Sequence, residues 1–100
     1  MNRLAQLEAL ARARPDDPFA WYSLALERRK SDVRGALELF ERLRTQHPDY
    51  LASYYQYGKA LEEAEESERA AAVYREGIEV ARRQGNAKTL GELESALDLL

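Results

Sequence analysis

Apolar residues recur along this chain at three- and four-residue spacings, and no stretch sustains a two-residue alternation. The pattern therefore predicts helices and no strands. Leu4, Leu7, Leu10 and Ala11 share one stripe of a first helix over about residues 2–13. A second helix is expected over 18–30. Ala36, Leu37, Leu39, Phe40 and Leu43 mark a third over 33–46. Three more are expected over 50–64, 68–84 and 87–99. The three prolines, Pro15, Pro18 and Pro48, all lie in the first half. A proline inside a helix loses a hydrogen bond and clashes with the preceding turn, so they mark breaks. Pro18 also suits a first helical turn, where a missing N–H costs nothing.

Cap residues sharpen the boundaries. Asp17 is expected to cap the second helix, Ser31 or Asp32 the third, Asp49 the fourth and Ser67 the fifth. Gly85 can supply a left-handed exit from the fifth. The sixth has two possible starts: Asn86 as a cap, or Thr89 with Glu92 as a capping box. The breaks are short, so consecutive helices should be antiparallel neighbours.

The chain also repeats itself. RPDDPFAWYSLALE, residues 14–27, is echoed by QHPDYLASYYQYGKALE from Gln46 onward. Pro15 pairs with Pro48, Asp16 with Asp49, Trp21 with Tyr54, Tyr22 with Tyr55, Leu24 with Tyr57 and Ala25 with Gly58, each at an offset of 33 residues. Such a period points to a stack of similar units. From Pro18 the succession is Trp21, Leu24, Ala25, Ala36, Phe40 and Pro48. From Leu51 it is Tyr54, Tyr57, Gly58, Ala70 and Tyr74, ending in Arg82.

These residues resemble the tetratricopeptide repeat, a helix–turn–helix unit of about 34 residues with an aromatic, a leucine, small residues and a terminal proline at set places. The first inter-helix turn is one residue short of that pattern, which accounts for the offset. Arg82 stands where the terminal proline belongs. In the last helix, Lys88 stands at the aromatic place and Gly91 at the leucine place. The resemblance implies an all-α fold: six antiparallel helices, paired as hairpins and stacked in a short right-handed superhelix. Residues 1–100 would form one domain, with a half-repeat helix over 1–15, repeats over 18–48 and 51–84, and a capping helix over 86–100. Ala25, Gly58, Ala36 and Ala70 would let helices approach closely. Trp21, Tyr54, Phe40 and Tyr74 would fill the core around them.

The resemblance also implies where a partner would bind. In such repeats the first helix of each pair lines a concave groove that takes peptides. Phe19, Tyr22, Leu26 and Arg29 would face it from one repeat, and Tyr55, Gln56, Lys59 and Glu63 from the next. Some co-chaperone repeats hold a peptide's C-terminal carboxylate with Lys and Asn at these places. Tyr22 and Leu26 occupy the key positions of the first repeat here, so that clamp is not expected.

Composition narrows the function classes. One hundred residues suit a single domain, and 45% hydrophobic with 33% charged residues suits a soluble globular one. A net charge of -3 is no footprint for nucleic acid. The chain has no cysteine, hence no disulfide or thiolate chemistry. No run approaches the roughly 18 apolar residues of a membrane helix. A cytoplasmic location is the default expectation.

Little in the sequence points to catalysis. His47 is the lone histidine, in a turn with no second His or Ser elbow. Glu62, Glu63, Glu65, Glu66 and Glu68 lack the alternation and turn glycine of a calcium loop. They read as a solvated helix end, with Glu65 set to pair with Arg69. Arg28, Arg29 and Lys30, like Arg82 and Arg83, sit in last helical turns, where cations complement the macrodipole. No cofactor, metal or enzymatic activity is expected. The first functional reading is a peptide-binding module. The alternative is weak self-association through the last helix, using Leu93, Leu97 and Leu100.

Overall fold

Helix ends in this chain are set by side chains that satisfy free backbone amides. The computed structural model describes residues 2–100. Its six helices are α1 (Arg3–Ala13), α2 (Pro18–Arg29), α3 (Val33–Gln46), α4 (Ala52–Glu63), α5 (Ser67–Gln84) and α6 (Ala87–Asp98). Among the described residues there is no strand. Asn2 accepts the Ala5 amide at 2.8 Å, Asp17 that of Phe19 at 3.0 Å and Asp32 that of Gly35 at 2.9 Å. Asn86 accepts the Thr89 amide at 3.0 Å, which settles the start of α6 in its favour.

Two expected caps fail, each for a local reason. The 33-residue step that carries Pro15 to Pro48 carries Asp16 to Asp49 and the capping Asp17 to Tyr50. Asp49 thus stands one residue too early, and Tyr50 has no acceptor to offer. The fourth helix starts at Ala52, later than the spacing predicts, with no side-chain cap. Backbone carbonyls of Tyr50 and Leu51 take the amides of Ser53 (3.3 Å) and Tyr54 (3.2 Å) instead. Ser67 is already the first residue of α5. Glu66 holds the cap position, but its carboxylate is drawn to Arg34 and Arg69 and makes no cap bond.

The exits from α4 and α5 share one geometry. The Glu65 amide donates to the Glu62 carbonyl (3.0 Å) and that of Glu66 to Leu61 (2.9 Å). Likewise the Gly85 amide donates to Arg82 (3.1 Å) and that of Asn86 to Ala81 (3.0 Å). Both motifs need a left-handed residue, supplied by Glu65 (φ 60°) and Gly85 (φ 67°).

Consecutive helices pack on one another from α1 to α6, and α2 also touches α4. This places α2 and α4 side by side, with α6 continuing beyond α5. Trp21, Tyr54, Phe40 and Tyr74 are buried, as are Ala25, Gly58, Ala36 and Ala70. Phe40 stacks on Tyr57, with centroids 5.7 Å apart. Gly58 makes room for a ring: a Cβ there would run into Cε1 of Tyr74. Gly77, which the repeat pattern does not flag, makes room for Tyr54, whose Cβ would lie 2.7 Å away.

The last helix turns differently from the register that places Lys88 at the aromatic position. Leu93 and Ala96 are buried, Leu90 and Leu97 are half-buried, and Lys88 is exposed. The apolar stripe chooses the inward face, because burying leucines instead of an ammonium is the favourable rotation.

Candidate functional site

The candidate surface is built from α2 and α4, on residues next to the buried aromatics. Phe19 is 61% exposed, while Tyr22 and Leu26 are half-buried beside it. Tyr22 meets Tyr50 edge to face, with centroids 5.6 Å apart. Burial raises the pKa of the Tyr22 hydroxyl, so it stays a protonated donor. Phe19, Tyr22 and Leu26 line an open hollow of about 340 Å³, with Arg3 and Lys30 also on its wall.

A second hollow, of about 500 Å³, lies between α4 and α6. Tyr55 and Lys59 line it from α4, Lys88, Glu92 and Ser95 from α6, and Leu99 from just beyond it. Tyr55 rests against Tyr74 with centroids 6.4 Å apart, and Lys59 Nζ lies 5.4 Å from the Tyr55 ring centroid. Lys59 is also 3.6 Å from Glu62. The α6 contribution went unrecognised in the sequence, although the step from Tyr22 to Tyr55, taken once more, lands on Lys88.

Arg29, Gln56 and Glu63 are brought together with one another. Arg29 Nη1 donates to Gln56 Oε1 at 2.9 Å, and its Nε donates to Glu63 at 2.5 Å. These three candidates form a latch between α2 and α4. The eight sequence candidates thus divide into an apolar hollow, a polar latch and a cationic hollow.

The charged runs are largely engaged within the chain. Glu62 accepts from the Tyr74 hydroxyl at 2.5 Å. Arg69 pairs with Glu66 at 2.9 Å, not with Glu65 as the four-residue spacing suggests, because Glu65 sits in the left-handed exit outside the helix. Arg28 reaches Glu8 at 3.0 Å, and Lys30 reaches Glu27 at 2.9 Å. His47 closes α3, its amide donating to Leu43 at 2.7 Å. Among the described residues no three His, Cys, Asp or Glu side chains converge as a metal site. No described helix is long and apolar enough to cross a membrane.

A polar chain joins α3 to α5. Arg44 lies 2.7 Å from Glu41 and 3.3 Å from Glu76. Glu41 accepts from the Tyr57 hydroxyl at 2.9 Å, and Arg69 donates to that hydroxyl at 3.1 Å. The Arg44 hydrogen bond holds the Glu41 carboxyl below its usual range. Burial, reinforced by the Glu41 bond, pushes Tyr57 up to about 12.

No family model matches the chain, and no curated protein matches it. A solution structure of a tetratricopeptide repeat domain protein from Salinibacter ruber is 45% identical, over 83% of this chain and 85% of that one, with a TM-score of 0.79. A crystal structure of a tetratricopeptide repeat domain protein from the same organism is 44% identical over 81% and 92% of the two chains, with a TM-score of 0.77. A protein from Bordetella parapertussis shares the fold at 19% identity and a TM-score of 0.82, over 98% of this chain and 86% of that one.

Proposed function

The chain belongs to the tetratricopeptide repeat family, whose fold generally serves as a protein-interaction module, and on that premise we propose that it binds a partner's peptide segment across α2, α4 and α6. One observation carries this reading. Phe19, Tyr22 and Leu26 leave an aromatic and aliphatic surface open to solvent, and Tyr55 is half-buried on the next repeat, whereas Trp21, Phe40, Tyr54, Tyr57 and Tyr74 are buried. An aromatic patch ringed by polar residues is the composition of an anchor site.

The two hollows differ in chemistry. The first offers apolar surface to a side chain such as Leu or Phe. The second offers the ammonium groups of Lys59 and Lys88 beside the Tyr55 ring, which suits a carboxylate on the same peptide. The Arg29–Gln56–Glu63 latch holds the strip between them to one shape, which lowers the ordering cost of binding. The proposed role is non-catalytic binding.

Selection from a displayed random-peptide library tests the reading. Recovered sequences should combine an apolar anchor with an acidic residue. Binding should be lost in Phe19→Ser and weakened in Lys59→Glu, with helicity unchanged by circular dichroism. Sequences that bind both variants as well as the parent chain would refute the groove.

A further inference from the structure

Helices α2 to α5 each pack between two substantial helical neighbours, whereas α1 has one, α2, and α6 has one, α5. The effect shows on matched residues. The step from Pro15 to Pro48 also carries Leu10 to Leu43. Leu43 is 1% exposed, whereas Leu10 is 37% exposed. The covering that α3 receives on its second side is absent from α1.

At the other end, α5 and α6 frame an open hollow of about 730 Å³. Ile78 and Leu97 give it apolar surface, and Glu94 and Asp98 line it from α6. Arg75 and Arg82 also line it, but Arg82 is tied to Glu79 at 2.6 Å. Leu99 and Leu100 are exposed close by in the chain. Leu93 does not share this surface: it is fully buried, with its Cδ1 against Gly77, so it is unavailable to a second copy.

The two ends carry opposite charge. Arg3, Arg12 and Arg14 stand with the single acid Glu8 on and just after α1. Glu92, Glu94 and Asp98 stand with the single base Lys88 on α6. Arg3 is engaged by Glu27 at 3.0 Å and Glu8 by Arg28 at 3.0 Å, but Arg12 reaches Glu8 only at 3.6 Å and Glu94 reaches Arg82 only at 3.9 Å.

We propose that copies of this chain join head to tail, with α1 of one copy lying in the hollow beside α6 of the next. The basic helix then meets the acidic one, and Leu10 meets Leu97. Each terminal helix gains the neighbour it lacks, so an α6 and an α1 from two chains complete one hairpin. The two faces are different surfaces, so the contact does not close on itself and extends into short linear assemblies. One helix against one hollow buries modest area, so association belongs at micromolar concentrations or above.

Sedimentation velocity of the 100-residue chain, from low to high micromolar at low salt, tests this. The average mass should rise past that of a dimer and fall when salt is added. Two charge-reversed forms separate the faces: Arg12→Glu with Arg14→Glu, and Glu94→Lys with Asp98→Lys. Each alone should self-associate about tenfold more weakly or worse. An equal mixture should recover assembly, because each α1 then meets an α6 of opposite charge. Circular dichroism checks that both forms fold. A parent chain that stays monomeric, a mixture that does not recover, or a closed dimer weakened only by the α6 changes would each overturn the proposal. None of these changes touches Phe19 or Lys59, so peptide capture reports on the groove separately.

Discussion

Tyr54 donates its phenolic hydrogen to the Pro48 carbonyl at 2.6 Å, reaching back six residues across the turn that precedes its helix. One repeat earlier, Trp21 Nε1 donates to the Pro15 carbonyl at 2.8 Å, again across six residues. Two different side chains thus perform the same act. Each is buried, and each carries one polar atom that must find an acceptor. The carbonyls of Pro15 and Pro48 lie in turns outside the helices and accept no backbone N–H among the described residues, so the two needs cancel. Trp21 is also capped by the Arg42 guanidinium, 4.1 Å from the ring centroid.

Tyr54→Phe should therefore destabilise the fold by about 1 kcal/mol, the net worth of one hydrogen bond. Trp21→Phe should cost more, because it loses ring volume and the cation contact as well. Urea denaturation with unchanged slope checks both. A Tyr54→Phe chain as stable as the parent would show that the bond contributes nothing.

Gly58→Ala places a methyl into the fully buried Tyr74 ring. Overpacking of this kind costs on the order of 1–3 kcal/mol. Tyr74→Leu alone should also destabilise, yet it should make Gly58→Ala cheaper. A double-mutant cycle of thermal or chemical stabilities should show this coupling. Strict additivity would contradict the contact.

Tyr57 has its pKa raised from 10.0 to about 12 in the fold. A raised value means the folded state holds the proton more tightly. Its contribution is complete below pH 10 and is lost as pH climbs through 12. Tyr57→Phe should flatten this alkaline loss, read as the urea midpoint against pH. Glu41 behaves oppositely: its pKa is lowered, first by Arg44, so its contribution is present at neutral pH and disappears as acid titrates the folded carboxyl. Glu41→Gln should flatten the acid limb.

Glu65→Gly should raise stability by roughly 0.5–1 kcal/mol, because Glu65 holds a left-handed conformation that glycine adopts without strain. Gly85→Ala should lower it by a similar amount at the matching exit of α5, where space is open and only the conformation resists. Paired thermal melts measure both signs.

Much of the fold was legible because its causes are local. Apolar spacing sets helices, and prolines end them. The aromatic–small–aromatic sequence repeats at a step long enough to see, so Trp21, Tyr54, Phe40 and Tyr74 could be placed in the core. The Asp49 cap was misread because a one-residue shift matters for a cap and not for an apolar stripe. The departure of α6 from the repeat pattern is legible at Lys88 and Gly91, and the inward pull of Leu90 and Leu93 sets its rotation.

The division of the candidate surface was not legible. Arg29, Gln56 and Glu63 come from two helices, and their mutual bonds depend on how those helices sit. An exposed arginine has several acids within reach, and sequence spacing does not choose among them. Arg69 shows this, taking Glu66 over Glu65. Helix identity and the repeated core follow from short-range periodicity, which the sequence determines by itself. Which charges pair inside the fold, and which hollows open beside α2 and between α4 and α6, are decided by helix placement. That placement emerges only when every buried face competes at once for the same small volume.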